Sequence, residues 1–92
     1  MKKKEVEILS DSTNQAVMKH PGRNYPGVLI QGDTLYSYCQ SLDDACSELK
    51  NKNIEDAFYE INEIRNALWD KLNHYKIVLG EHDIELPFSE VP

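Results

Sequence analysis

The sequence predicts a single α+β domain over residues 1–92, with a short N-terminal antiparallel β-sheet of two or three strands followed by two α-helices that form a helical hairpin. Three observations support this fold class. Apolar and charged residues alternate near the N-terminus, a loop rich in proline and glycine follows at 21–27, and two long segments after it carry apolar residues every three or four positions. A chain of 92 residues supports one hydrophobic core, so we expect one domain.

Three short segments have the residue types of β-strands. In residues 4–10, Val6 and Ile8 alternate with charged residues, as in a strand with one buried face. Residues 15–20 are short enough to form either a strand or one helical turn, and we favour a strand. Residues 28–31 begin with three apolar residues, two of them β-branched, which favours a buried strand.

Residues 21–27, Pro-Gly-Arg-Asn-Tyr-Pro-Gly, predict an irregular loop between the second and third strands. The two prolines fix φ and remove backbone donors, while the two glycines allow positive φ. We therefore expect a rigid, exposed loop here.

The first helix is predicted to run from about Thr34 to Lys50, with the Asp33 carboxylate as its N-cap. Its apolar face consists of residues at three- and four-residue steps, namely Leu35, Tyr38, Leu42, Ala45 and Leu49. Cys39 and Cys46 widen this face and are predicted to be reduced core thiols. Their helical spacing separates the Cα atoms by roughly 10 Å, beyond the disulfide limit of about 7 Å.

The second helix is predicted over residues 54–79, with Asn53 as its cap and Gly80 just past its end. Its apolar stripe consists of Ile54, Ala57, Phe58, Ile61, Ile64, Leu68, Leu72, Tyr75 and Leu79. The helix spans about 40 Å, whereas a compact domain of this size is roughly 30 Å across. We therefore expect it to bend or to project into a partner chain, and we predict a homo-oligomer, in the simplest case a dimer.

The C-terminal residues 81–92 are predicted to form an extended tail. Ile84, Leu86 and Phe88 alternate with polar residues there, as expected for a segment with one apolar side. We expect the tail to dock through these three side chains.

The charge balance limits the expected partners. The formal net charge is −6 and the pI is 4.9, which opposes binding to nucleic acid or an anionic membrane, since both attract basic surfaces. The basic run at residues 2–4 is followed by alternating residues rather than a long apolar stretch. We therefore expect no export signal, no transmembrane span and a cytoplasmic location.

The segment from Asn14 to Leu35 resembles the signature of a family of small bacterial and phage proteins that is classed as a domain of unknown function. The similarity is carried by Asn14, Ala16, Val17, Pro21, Arg23, Tyr25, Pro26, Gly27, Val28, Ile30, Gln31, Gly32, Asp33, Thr34 and Leu35. The two helices and the tail motif Leu86-Pro87-Phe88 are similar too, so the resemblance covers most of the chain. It implies this fold and supplies no activity or site residue.

The loop at 21–27 is the first candidate ligand site. Arg23 can pair bidentately with phosphate or carboxylate, and Tyr25 can stack on a base. Asn24 adds an amide group, and backbone N–H groups around Gly22 and Gly27 can form an anion-binding nest. The structural alternative is that Tyr25 covers the core while Arg23 pairs with a surface acid.

Gln31, Asp33 and Thr34 form a second candidate, because ligands often bind where a strand passes to a helix N-terminus. Asp33 would repel an anion if it caps the helix, so hydroxyl or amine groups are the expected contacts. We favour the alternative, in which Gly32 makes the turn and Asp33 caps the helix.

The third candidate is a polar and aromatic stripe on the second helix, about 100° from the apolar stripe. It consists of Tyr59, Asn62, Asn66, Trp69 and Asn73. Such a face suits a flat polar ligand or another protein, and we favour an interface over packing against the sheet. Arg65, near the edge of the apolar stripe, is expected to pair with an acid of the first helix.

No catalytic or metal site is predicted. His20, His74 and His82 lack the spacing of zinc ligands, and no basic residue is predicted beside either cysteine to lower its pKa. We therefore expect no enzyme activity, no cofactor and no metal ion.

Two functional hypotheses follow. The first is a non-enzymatic binding protein for a small anionic ligand of nucleotide type, held by Arg23 and Tyr25 with help from the helical stripe across a subunit interface. By analogy with phage proteins of similar size, an oligomer would sequester a nucleotide immune signal.

The second hypothesis is an acidic protein-interaction module, such as an immunity or inhibitor protein. It would bind a basic partner through Trp69, Tyr59 and surface acids. Exposure of Arg23 and Tyr25 in a cleft favours the first hypothesis, and their burial favours the second.

Overall fold

A computed structural model describes residues 1–90 and contains a three-stranded antiparallel β-sheet followed by two α-helices, as predicted. The elements in chain order are β1 (Glu7–Ser10), β2 (Ala16–Lys19), β3 (Gly27–Leu29), α1 (Gly32–Lys50) and α2 (Ile54–Glu81). The chain divides into two compact units. The sheet unit consists of residues 1–30 and the segment from Lys71 onward, and the hairpin unit consists of residues 31–70.

The sheet has β2 at its centre, between β1 and β3. Ile8 lies opposite Met18, and Val17 lies opposite Val28. A β-bulge between Ile8 and Ser10 shifts the register, so that Ser10 pairs with Val17. Because Val17 is fully buried, the bulge brings Ser10 to the buried side of the sheet, where a regular strand would place it on the other side.

The core of the sheet unit lies between β2 and the C-terminal part of α2. Val17 of β2 and three residues of α2 form its buried centre, and the α2 residues are Tyr75, Val78 and Leu79. The half-buried residues that pack around this centre are Leu9, Val28, Leu72, Ile84 and Leu86. Two of these belong to the tail, in which Phe88 is more exposed, while Val91 and Pro92 lie outside the described residues.

Helix α2 ends at a residue other than the expected glycine. Gly80 lies within the helix, and Asp83 adopts the left-handed conformation with φ of 55°. The Ile84 N–H donates to the Leu79 carbonyl at 2.9 Å, and the Asp83 N–H donates to the Gly80 carbonyl at 3.2 Å. This pair of bonds is a Schellman motif, completed by the packing of Ile84 on the core. The prediction that Gly80 ends the helix is therefore wrong.

The connection between α1 and α2 uses the same motif. Lys52 has φ of 64°, its N–H donates to the Leu49 carbonyl, and the Asn53 N–H donates to the Glu48 carbonyl at 2.7 Å. Asn53 occupies the cap position of α2, since its carbonyl accepts from the Ala57 N–H. Its side-chain amide donates to Glu48 Oε2, so this side chain ties the end of α1 to the start of α2.

Two alanines and one isoleucine, Ala45, Ala57 and Ile64, are buried at the centre of the hairpin unit. Cys39 and Cys46 are free and exposed, so the prediction that they are core thiols is wrong. The buried side of α1 runs through Ala45, and at 100° per residue both cysteines lie about 100–120° away from it.

An acidic cluster lies across the two helices of the hairpin. Burial raises the pKa of Glu60, and the charges of Asp44, Glu48 and Asp56 raise it further. Among residues 1–90, Glu60 Oε2 is buried without a hydrogen-bond partner. The negative charges of these four acids therefore repel one another at neutral pH.

Candidate functional site

The loop at 21–27 begins with a tight turn that fixes Arg23. The Arg23 N–H donates to the His20 carbonyl at 3.1 Å, and Gly22 has φ of 85°. Proline followed by glycine at positive φ is the sequence of a type II turn. A Cβ at Gly22 would meet no atom within 4 Å, so glycine is needed there for the backbone conformation and not for space.

The end of the loop is anchored to α2. Pro26 is buried, and its carbonyl accepts a hydrogen bond from the Tyr75 hydroxyl at 2.7 Å. Burial raises the pKa of Tyr75, which keeps the hydroxyl protonated and able to donate. The turn at Gly22 and this anchor together hold both ends of the loop on the sheet unit.

Between these two fixed ends, Arg23 and Tyr25 lie beside an open hollow of about 330 Å³. Its lining residues are Met18, His20, Arg23, Tyr25, Gly27, Val28 and Leu29. Tyr25 is 48% exposed, and no described residue forms a salt bridge or side-chain hydrogen bond with Arg23. The structural alternative, with Tyr25 over the core and Arg23 paired to an acid, is therefore not observed in residues 1–90.

A second hollow of about 350 Å³ lies next to the turn. Its lining residues are Glu5, Val6, Glu7, Lys19, His20, Pro21, Gly22 and Arg23. His20 and Arg23 therefore border both hollows, and His20 Nδ1 lies 2.7 Å from the Pro21 carbonyl. This contact uses Nδ1 and leaves His20 Nε2 as the ring nitrogen that is available to contact a ligand.

The predicted backbone nest is only partly available. The Arg23 N–H is used by the turn, and Gly27 is the first residue of β3, opposite Met18. Asn24 is exposed at the tip of the loop. Side chains rather than backbone amides are thus the main polar groups of this site.

Sequence reasoning missed four residues that line the first hollow: Met18, His20, Val28 and Leu29. Met18 and His20 are two positions apart, which places them on one side of an extended chain that leads into the loop. Leu29 pairs with Ala16 on β2, and this register is a tertiary property. The alternation along β2 was therefore the available signal for Met18 and His20, whereas Val28 and Leu29 are placed by the pairing of β3 with β2.

The second candidate group lies in the hairpin unit and has a different local geometry from the one predicted. Helix α1 begins at Gly32 with Gln31 as N-cap, so the prediction that Asp33 caps the helix is wrong. Asp33 Oδ1 accepts from the Thr34 N–H at 2.9 Å within the first turn. Gln31 and Asp33 are exposed, and Thr34 is half-buried.

Four of the five residues of the polar and aromatic stripe of α2 lie in the hairpin unit, and the fifth, Asn73, lies in the sheet unit. Tyr59, Asn66 and Trp69 are exposed, and Asn62 is half-buried. Asn62 Oδ1 accepts from Arg65 Nη2 on the same helix, so the expected pairing of Arg65 with an acid of α1 is wrong.

Two further features of residues 1–90 bear on chemistry. No group of three or more histidine, cysteine, aspartate or glutamate residues is placed to hold a metal ion. Neither described helix combines the length and the apolar composition that crossing a membrane requires.

The fold and the loop define a small α+β protein in which a three-stranded sheet carries an exposed cationic and aromatic loop. A family model for a family of unknown function, DUF6959, matches residues 1–88. The chain belongs to this family. No curated protein and no solved structure matches it.

Proposed function

We propose that this protein binds a small anionic ligand at the loop of residues 21–27, without catalysing a reaction. The observation that carries the proposal is the shared exposure of Arg23 and Tyr25 on one hollow. A guanidinium without a partner among residues 1–90, held on a loop fixed at both ends, needs little ordering before it pairs with an anion.

The chemistry of the hollow narrows the class of ligand. Arg23 supplies positive charge and hydrogen-bond donors, and His20 adds an imidazole ring. Met18 and Leu29 offer apolar surface, and Tyr25 offers an aromatic ring. A ligand with an anionic group and a flat, weakly polar body matches both the cationic and the apolar parts of this hollow. A volume of about 330 Å³ lies at the lower end of the range for ligand pockets, roughly 300–1,000 Å³. The proposed ligand is therefore of mononucleotide size.

Sequestration of such a ligand is the proposed biological role. A bacterial or phage protein of this kind would remove a nucleotide-type signal from the cytoplasm by binding it, as in the evasion of an immune response.

The decisive experiment measures binding by native mass spectrometry and calorimetry with a set of nucleoside mono-, di- and cyclic phosphates. Arg23→Ala is expected to weaken binding about ten- to hundredfold, because a charge-assisted bidentate contact contributes roughly 1.5–3 kcal/mol. Arg23→Lys is expected to recover part of the affinity. The melting temperature of both variants stays close to that of the wild type, since the Arg23 side chain forms no bond within residues 1–90.

Arg65→Ala is the matched control, because Arg65 is the other arginine of the chain and lies in the hairpin unit. Its affinity for the nucleotide is expected to equal that of the wild type. Equal losses in Arg23→Ala and Arg65→Ala, or a large fall in melting temperature without loss of affinity in Arg23→Ala, contradict the proposed site.

The charge distribution favours a second candidate function, the acidic protein-interaction module. Residues 31–70 contain nine acidic and three basic residues, which accounts for the whole formal net charge of −6. A surface of this charge accelerates association with a basic protein, and the rate falls as salt rises. Charge reversal at Asp44 and Glu48 would slow such association and leave nucleotide binding unchanged, which separates the two functions.

A further inference from the structure

The hairpin unit carries large apolar side chains that are solvent-exposed in the described structure. On α1, Leu35, Leu42 and Leu49 follow one another at seven-residue steps. On α2, apolar residues alternate at steps of four and three from Ile54 to Leu68, with one interruption at Arg65. We define the hairpin apolar face as seven residues that are each 40–68% exposed: Leu35, Leu42, Leu49, Ile54, Phe58, Ile61 and Leu68.

The α2 part of this face belongs to a stripe that is buried further along the same helix. The same steps of four and three continue through Leu72, Tyr75 and Leu79, where Tyr75 and Leu79 are buried and Leu72 is half-buried against the sheet-unit core. A sustained spacing of this kind is typical of helices that pack side by side along their length. The first half of the stripe therefore has the pattern of a packed surface without a packing partner.

Charge and apolar surface are separated on the two sides of the hairpin. At 100° per residue, Leu42 and Leu49 lie on one side of the buried Ala45, while Asp44 and Glu48 lie on the other. The acids of α2 that interact with them, Asp56 and Glu60, mark the same acidic side. Two copies can thus meet through their apolar faces while both acidic clusters remain in solvent. A basic peptide, by contrast, would be attracted to the opposite side of the hairpin.

The dimensions of the face suit a second copy of the chain. Helix α1 has 19 residues and is about 28 Å long, and two helices spaced at 8–10 Å give a width of about 20 Å. The face therefore covers roughly 500 Å² per protomer and 1,000 Å² in a symmetric pair, the size at which specific interfaces begin. A peptide that forms one helix would cover only part of this width.

We propose that the hairpin apolar faces of two copies pack together around a two-fold axis and form a four-helix bundle. This centres the dimer interface about 100° around α2 from the polar and aromatic stripe that the sequence favoured. Arg65 lies in the same row as Phe58 and Leu68, and a single polar residue in such a row fixes the register of the pairing. The proposal does not depend on a ligand at the loop.

The test is the mass of the purified protein in solution, measured by light scattering and by sedimentation velocity over a concentration series. The wild type is expected to be a dimer at about 100 µM, above the micromolar dissociation constants common for interfaces of modest size. Phe58→Glu and Leu42→Glu are each expected to raise the dissociation constant at least about tenfold, because each places a charge in an apolar interface. Both positions are exposed in one protomer, so the fold, followed by circular dichroism, is retained.

The matched control is Ile77→Glu, since Ile77 and Phe58 are both 63% exposed on α2 but Ile77 lies in the sheet unit. Ile77→Glu is expected to remain dimeric, and so is Tyr59→Glu. A second readout is the reaction of Cys46, which lies beside Leu42 and Leu49, with a thiol reagent. Its rate is expected to be slow in the dimer and fast in the Phe58→Glu monomer.

Three outcomes overturn the proposal. The first is a wild type that stays monomeric at about 100 µM. Protection of Cys46 in that monomer would show that the chain covers its own hairpin apolar face. The second is a dimer that persists in both Phe58→Glu and Leu42→Glu. Dissociation by Tyr59→Glu without dissociation by Phe58→Glu would instead place the interface on the polar and aromatic stripe.

Discussion

Replacing Tyr75 by phenylalanine removes one hydroxyl group and tests whether α2 holds the loop of residues 21–27 in place. In the wild type this hydroxyl donates to the buried Pro26 carbonyl at 2.7 Å. The aromatic ring of Tyr75 is part of the sheet-unit core, and phenylalanine keeps the ring and its packing. The substitution therefore isolates the hydrogen bond.

The expected loss follows from the burial of both groups. A buried acceptor left without its donor costs about 1–3 kcal/mol, because the Pro26 carbonyl cannot exchange the lost bond for water. For a chain of 92 residues, each kcal/mol changes the melting temperature by roughly 4–8 °C. We therefore expect Tyr75→Phe to lower the melting temperature by about 4–24 °C.

The pH dependence provides an independent check of the same bond. Burial raises the pKa of Tyr75 in the folded state, so its contribution is complete below the unfolded-state pKa of about 10 and is lost as pH rises through the folded value. Wild-type stability should fall across this alkaline range. Tyr75→Phe should lack this part of the fall.

The assay is thermal and urea unfolding of both proteins at one protein concentration, at pH 7 and in the alkaline range. Tyr25→Phe is the control, because the Tyr25 ring is 48% exposed and a surface hydroxyl of this kind contributes within about 0.5 kcal/mol. Equal melting temperatures for Tyr75→Phe and Tyr25→Phe would refute the role assigned to the anchor.

Three further substitutions have expected outcomes that urea or thermal unfolding can measure. Gly22→Ala should cost roughly 1 kcal/mol, because alanine is strained at positive φ. Gly27→Ala should instead stabilise the fold by about 0.4–1 kcal/mol, because alanine restricts the unfolded chain. Equal effects of the two substitutions would contradict the turn at Gly22. Glu60→Gln should raise the melting temperature at pH 7, since it removes an ionised carboxylate from an acidic cluster. The gain should shrink as pH falls through the raised pKa of Glu60, because the wild-type carboxyl then becomes neutral. A gain that does not change with pH would indicate an effect on packing instead. Asp83→Gly should increase the free energy of unfolding by roughly 0.5–1 kcal/mol, because glycine adopts the left-handed conformation at the end of α2 without strain. Asp83→Asn is the control, since it removes the negative charge near the helix C-terminus and keeps a side chain at this position.

Much of the fold could be predicted from local sequence patterns. The alternation at Val6 and Ile8, the Pro-Gly loop and the two apolar stripes determined the order and type of the elements, because backbone geometry fixes the periods of strands and helices. The ends of the helices were less predictable. Gly80 has the residue type of a helix end, but the packing of Ile84 on the core extends α2 to Glu81 and places Asp83 in the left-handed turn.

Part of the candidate site could also be predicted from local sequence patterns. Arg23 and Tyr25 stand out in the sequence because prolines and glycines around them forbid regular structure. The hollow beside them could not be predicted, since it depends on the strand register that brings Leu29 and Met18 near the loop and on the bond from Tyr75 to Pro26. The Tyr75–Pro26 bond joins residues 49 positions apart in the chain, and the register depends on how β2 and β3 pair across the loop.

The sequence by itself determined which residues form strands, loop and helices, since these choices depend on neighbours within a few positions. Tertiary structure decided which side of each element is buried. Cys39, Cys46 and Phe58 have the spacing of core residues, yet they are exposed because Ala45 and Ala57 occupy the buried positions of the hairpin. A periodic apolar stripe indicates that a face can be buried, but only the packing of other elements determines how much of it is covered.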